Sequence, residues 1–144
     1  MASVPIVDPI VEEAIRKELK KPEGKLTKSY LEEVTRLVLN GTKKVTDAGL
    51  KEVAKLTQLK GLYLEGTDIT DAGLKEIAKL KQLSFLALNQ TQITDASLKD
   101  VAKLKQLKFI NLEDTKVTES GVALLQKALP KCKIRNDFAQ AEAS

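Results

Sequence analysis

The side chains that most often carry chemistry are scarce in this chain of 144 residues, which has no histidine and one cysteine, Cys132. Histidine-based triads, histidine metal sites and an intramolecular disulfide are therefore excluded. An enzyme built from what remains would need a carboxylate pair or an activated lysine in a pocket. Four acids recur at a fixed place in the chain's pattern: Asp47, Asp71, Asp95 and Glu119. Such a column could suggest a metal ladder. Each acid, however, precedes an apolar stripe of helical spacing, where a carboxylate complements the helix dipole, and helix capping explains the column more simply. Gly49, Gly73 and Gly121 lack the spacing and the lysine of a phosphate-binding loop. Cys132 falls in a slot held elsewhere by Leu59, Leu83 and Leu107. It reads as a small core residue rather than a reactive thiol. No catalytic residue, metal or cofactor is expected.

Two other groups could act by binding. Lys51/Lys55, Lys75/Lys79 and Lys99/Lys103 lie four residues apart and share a helix face. A nucleic-acid or acidic-membrane patch would look like this. Against it, Glu52, Glu76 and Asp100 interleave with the lysines, and no aromatic is near to stack on a base. A solvated face is the better reading, and a nucleic-acid partner is disfavoured. The second group is aromatic. Of five aromatic residues, Tyr63, Phe85 and Phe109 occupy positions that alternate with leucines. Aromatics outside a leucine core, ringed by polar groups, suit recognition. The competing reading is that they only pack on each other across strands.

These residues are positioned by a repeat. Leu59 to Gln82 (LKGLYLEGTDITDAGLKEIAKLKQ) and Leu83 to Gln106 (LSFLALNQTQITDASLKDVAKLKQ) share 15 of 24 positions. Val34 to Gln58 is a third copy with one residue more near Lys43-Lys44, and Leu107 onward is a divergent fourth. Leu26, Thr27 and Leu31 match the slots of Ile69, Thr70 and Leu74, like the trailing half of another copy. Within a copy, Leu62 and Leu64 alternate with their neighbours as a short strand does. Leu74, Ile77, Ala78 and Leu80 then form a helical stripe. Thr46/Asp47, Thr70/Asp71, Thr94/Asp95 and Thr118/Glu119 are the N-cap candidates. One strand and one helix cannot bury their apolar sides alone, but stacked copies can. With 42% hydrophobic and 31% charged residues and a net charge of +4, the chain is long enough for one folded domain and is not globally disordered. No apolar run approaches the roughly 18 residues of a membrane span. The start, Met1-Ala2-Ser3-Val4-Pro5, has neither the basic region nor the apolar stretch of a signal peptide. A cytoplasmic chain is expected, or a surface or secreted one whose signal has been removed.

The pattern L-x-x-L-x-L-x-x-T-x-I resembles the leucine-rich repeat consensus, with Thr42, Thr67, Thr91 and Thr115 where that family more often has asparagine. The T-D-A-G-L-K continuation is similar to the 24-residue repeats of bacterial leucine-rich repeat proteins. Residues 8–24 resemble the helical N-cap of internalin-type proteins. There Asp8 is an N-cap, Pro9 the first helical residue, and Ile10, Val11, Ala14, Ile15 and Leu19 an apolar stripe. Lys20-Lys21-Pro22 and Gly24 end it. The resemblance implies an α/β solenoid: a right-handed superhelix with a parallel concave sheet and convex helices. The expected division is a helical cap (1–33), four repeats and a closing strand (34–134), and a polar tail (135–144) that frays unless Phe138 folds back on the last repeat.

Differences between copies collect at the positions that alternation turns away from the core. The variable slots are Lys60/Ser84/Lys108, Gly61/Phe85/Phe109, Tyr63/Ala87/Asn111, Glu65/Asn89/Glu113 and Gly66/Gln90/Asp114, with Thr35, Arg36, Val38, Asn40 and Gly41 in the first repeat, and alternation turns residues 61, 63 and 65 onto the open face. The candidate ligand-binding residues are accordingly Arg36, Val38, Asn40, Tyr63, Glu65, Phe85, Asn89, Phe109, Asn111 and Glu113. The expected function is non-enzymatic binding of a protein or peptide on the concave face, with modest affinity for so short an array. The alternative is a structural or engineered scaffold with no dedicated ligand. A monomer, or weak association through an open sheet edge, is expected.

Overall fold

A strand of three residues is all that two leucines spaced by one residue can anchor, and each coil of this chain makes one. The structure, a computed structural model, describes residues 2–41 and 44–138. The strands are β1 (Arg36–Val38), β2 (Gly61–Tyr63), β3 (Phe85–Ala87), β4 (Phe109–Asn111) and β5 (Lys133–Arg135), parallel and neighbouring in chain order in one open sheet. Their register aligns Arg36, Gly61, Phe85, Phe109 and Lys133 in one column, and Val38, Tyr63, Ala87, Asn111 and Arg135 in another. Between these columns Leu37, Leu62, Leu86 and Ile110 point inward and are buried. The helices α3 (Asp47–Val53), α4 (Asp71–Ile77), α5 (Asp95–Val101) and α6 (Glu119–Ala128) return the chain on the other side. Their Leu50, Leu74, Leu98 and Val122 complete an interior of aliphatic side chains. Removing each such residue from water stabilises the fold by about 1.5–3 kcal/mol. α4 stops at Ile77, so Leu80 of the expected helical stripe lies in the following loop, still buried.

The turn after each strand passes through the left-handed region, at Gly41 (φ 72°), Gly66 (φ 70°), Gln90 (φ 61°) and Asp114 (φ 56°). Glycine takes this conformation freely, whereas Gln90 and Asp114 take it at a cost. Thr67, Thr91 and Thr115 then donate their hydroxyls to the carbonyls of Leu64, Leu88 and Leu112 at 2.8, 2.6 and 2.8 Å. This closes the turn without asparagine. Thr42 lies outside the described residues.

Of the expected Thr/acid pairs the threonines are the caps, and the acids stand in the first turn, where they complement the dipole and do more besides. The N-cap residues are Thr46, Thr70, Thr94 and Thr118, and each acid is the first residue of its helix. The aspartates also reach the next coil. Asp47 accepts from the N–H and hydroxyl of Thr70, Asp71 from those of Thr94, and Asp95 from those of Thr118. Such a chain of charge-assisted bonds fixes neighbouring coils in register. Glu119, in the last coil, has no following threonine to hold. The ladder also explains the small residues beside it. A Cβ at Gly73 or Gly121 would run into the carboxylate of Asp47 or Asp95. Where Ser97 replaces glycine, its hydroxyl donates to Asp71.

At the N-terminal end α1 (Pro9–Leu19) lies across the first coil, with Val11 and Ile15 fully buried. Asp8 caps it by accepting from Ile10 N–H (2.9 Å) and Val11 N–H (3.1 Å). A one-turn helix, α2 (Lys28–Leu31), is capped by Thr27, and Leu26 and Leu31 are buried. These residues therefore fill the slots of a half coil. At the other end Cys132 is buried and Phe138 packs against the core edge. Residues 139–144 of the polar tail lie outside the described residues.

Candidate functional site

Alternation along each strand sends residues 36, 61, 85, 109 and 133, and then 38, 63, 87, 111 and 135, to the outer face of the sheet. All ten candidate residues stand on this face or on the turns at its edge. Phe85 is the most open of its aromatics at 44% exposure. Its ring centroid lies 5.8 Å from that of Phe109, with planes 37° apart. The two rings therefore pack on each other and still present a surface. Phe109 is half-buried by this contact.

Tyr63 is less open than its position suggests, and Gly61 is buried. With no side chain at Gly61, the ring of Tyr63 tips over that α-carbon; a Cβ there would meet Tyr63 Cε1 at 3.4 Å. The guanidinium of Arg36 lies 5.5 Å from the ring centroid on the neighbouring strand, a cation–π contact. Arg36 also pairs with Glu18 of α1 at 3.8 Å. Val38 completes the apolar band and is exposed.

The polar candidates follow the strand ends. Asn40 accepts from the Glu65 N–H at 2.9 Å, and Asn111 from the Glu113 N–H at 3.0 Å. These two asparagines hold the turns in shape with their carbonyl oxygens, a positioning duty their variability between copies hides. Glu113 pairs with Arg135 at 3.1 Å. Asn89 is half-buried in the same row. The face thus carries an aromatic and aliphatic centre, Val38, Tyr63, Phe85 and Phe109, edged by Arg36, Asn40, Glu65, Asn89, Asn111 and Glu113.

Sequence reasoning missed two contributions. β5 adds Lys133 and Arg135 to the columns; the alternation around Ile134 is the signal that could have found them. α1 adds Ile10, Ala14 and Lys17, which with Val38, Leu39 and Asn40 line a groove of about 300 Å³ beside β1. No sequence signal tells which side of the sheet edge a capping helix occupies.

The chemistry available on this face is contact and hydrogen bonding. The thiol of Cys132 is on the core side, where burial pushes its pKa up to about 11. Of the six recurring lysines, Lys55 pairs with Glu52 (3.3 Å), Lys79 with Glu76 (2.8 Å) and Lys103 with Asp100 (3.5 Å), whereas Lys51, Lys75 and Lys99 make no ion pair among the described residues. Among the described residues no three His, Cys, Asp or Glu side chains group as metal ligands would, and no helix is long and apolar enough to cross a membrane.

An open parallel sheet backed by one helix per 24-residue coil defines a leucine-rich repeat solenoid. An internalin (InlF) from Listeria monocytogenes is similar in structure, with a TM-score of 0.70 and 28% identity over 89% of this chain and 36% of its own. This chain therefore spans about a third of the length of that protein. Leiomodin-1 actin-binding site 2 has the same fold, with a TM-score of 0.62 and 16% identity over 97% of this chain and 84% of its own. No protein-family profile and no curated protein sequence matches the chain. The chain thus has an internalin-like leucine-rich repeat fold, a repeat architecture commonly used for protein binding.

Proposed function

We propose that this chain is a non-enzymatic binding module that takes a protein or peptide on the outer face of its sheet. One observation carries the reading. The buried core is aliphatic, while Tyr63, Phe85 and Phe109 stand on a sheet face whose residues differ from coil to coil. A rigid sheet loses little ordering entropy when a partner docks, so a small aromatic centre with a polar edge is an efficient contact. The face spans five short strands. So short an array supports an interface at the small end of specific complexes, roughly 1,200 Å² of total buried surface, with modest affinity. The leiomodin-1 fragment is named for actin binding, which is compatible with the fold serving a protein partner, though its identity to this chain is low.

The test selects peptides displayed on phage against the folded chain and measures each selected peptide against Tyr63→Ala/Phe85→Ala/Phe109→Ala. Circular dichroism verifies that the variant is folded. Selected peptides are expected to lose at least tenfold in affinity, about 1.4 kcal/mol. Peptides that bind the variant unchanged place recognition elsewhere. Failure to select any peptide favours the scaffold without a dedicated ligand.

A further inference from the structure

Because every strand runs the same way, all the loops entering the sheet lie on one edge of the solenoid and all those leaving it on the other. Beyond the first coil, charge is sorted between these edges. The segments entering β2, β3, β4 and β5 (54–60, 78–84, 102–108 and 129–132) contain eight lysines and no acid. The segments leaving β2, β3 and β4 (64–70, 88–94 and 112–118) contain four acids and one lysine, and the helix that follows each one opens on a further acid. On the entering edge, Lys60, Lys81, Gln82, Ser84, Gln106 and Lys108 line a depression of about 510 Å³. This volume suits a small ligand or one unit of a longer one. Backbone bonds tie its floor together: Ser84 N–H donates to Lys60 O and Lys108 N–H to Ser84 O, each at 2.8 Å. Lys60 and Lys108 are two strands apart, roughly 10 Å at the usual spacing.

The lysines of this edge are not all engaged alike, and those just after the helices are paired. Lys55, Lys79 and Lys103 are each paired with an acid one helical turn back. Lys60, Lys81 and Lys108 have no ion-pair partner among the described residues. All three line the one hollow, from successive coils. The neighbouring groups are polar and uncharged. Gln82 donates its amide N–H to Gln58 Oε1 (3.1 Å), and Ser84 its hydroxyl to Lys60 O (3.2 Å), so both keep acceptor oxygens for hydroxyl donors. Anionic groups spaced along a hydroxyl-bearing body match this mixture. Phe85 and Phe109 face the sheet and do not line the hollow, so nothing there stacks on a base.

We propose that this basic ledge is a second binding site, separate from the aromatic face, and that it takes a carbohydrate carrying several sulfate or phosphate esters. Lys60, Lys81 and Lys108 hold the ester oxyanions, and Ser84, Gln82 and Gln106 meet the hydroxyls.

The probes are a heparin-derived hexasaccharide, its desulfated counterpart, inositol hexakisphosphate and a twelve-nucleotide uridine RNA. Each is titrated into the isotopically labelled chain and followed by amide chemical shifts at low and high salt. The hexasaccharide or the inositol phosphate is expected to bind, with shifts centred on residues 58–60, 81–84 and 105–108; the tighter of the two names the source of the esters. Affinity should fall at least tenfold in Lys60→Gln/Lys81→Gln/Lys108→Gln and less than threefold in Lys51→Gln/Lys75→Gln/Lys99→Gln. That control removes the same charge from the helix surface. Equal losses in the two triple variants, tighter binding of the RNA, unchanged binding of the desulfated sugar, or no binding by either ester-bearing probe would each overturn the proposal.

Discussion

Replacing Asp71 with alanine separates two roles for the acid column, helix dipole and inter-coil tie. Asp71 accepts from Thr94 N–H at 2.8 Å, from the Thr94 hydroxyl at 2.6 Å and from the Ser97 hydroxyl. Ser97 is completely buried, so loss of the carboxylate strands its hydroxyl, whereas water can reach the half-exposed Thr94. One full hydrogen bond to a charged group is worth about 1.5–3 kcal/mol; adding a fraction of the other two gives a loss of about 3 kcal/mol for Asp71→Ala. Glu119→Ala is the control. Glu119 is also the first residue of its helix, but it is exposed and no coil follows to be tied. It loses only the dipole interaction, about 0.3–1 kcal/mol. Urea unfolding followed by circular dichroism reads both, with an unchanged m-value showing that the same surface unfolds. At about 2–4 °C per kcal/mol, Asp71→Ala should also melt roughly 6–12 °C lower. Losses that agree within about 0.5 kcal/mol would mean that the aspartates act on their own helices and that the bonds between coils contribute nothing measurable.

Glu52 tests the cap in the same way. Its carboxylate accepts from Val7 N–H (2.9 Å) and Asp8 N–H (2.5 Å), whereas among the described residues the Glu76 carboxylate in the next coil meets only Lys79. Glu52→Ala should cost about 2–3 kcal/mol and speed amide exchange at residues 7 and 8, and Glu76→Ala should cost no more than about 0.5 kcal/mol. Acid should destabilise the chain through the same groups. Burial alone would raise the pKa of Glu52 and of Asp71. The N–H groups of Asp8 and Val7 with Lys55, and the donors on Ser97 and Thr94, outweigh it and leave both lowered. Carboxyls lowered in the folded state contribute stability above their ordinary values of 4.5 and 3.8, and lose it as pH falls through the folded values. Urea stability should hold from pH 7 to 5 and drop toward pH 3, with a shallower drop in Asp71→Ala; equal slopes would remove Asp71 from the cause. The Cys132 thiol, raised to about 11, is protonated near neutrality. Its reaction with a disulfide reagent at pH 8 should be at least about a hundredfold slower than in denaturant, and a fast reaction in the folded chain would contradict its burial.

What could be read from the residues was whatever the chain states several times. Leu62, Leu86 and Ile110 recur in one slot, so their inward direction needed no coordinates, and alternation then assigned Phe85 and Phe109 to the open face. The bonds between coils were harder. Asp47, Asp71 and Asp95 each stand beside a helix start, where capping is the nearest explanation, and their partners Thr70, Thr94 and Thr118 lie 23 residues further on. Only a stacked structure brings that separation to hydrogen-bonding distance. The flattening of Tyr63 onto Gly61 was hidden for a related reason, since it depends on a side chain that is absent and on Arg36 from the strand beside it. Sorting of charge between the two edges was in the sequence throughout, masked by a net charge of only +4. It emerges once the segments entering and leaving strands are counted apart, and a parallel sheet is what makes that division physical. A solenoid turns each position of its repeat into a line on the surface. Selection for a partner can therefore act on one line at a time, changing residues 61, 85 and 109 on the face or 60, 84 and 108 on the ledge, while the aspartate ties and the leucine core keep the lines in register.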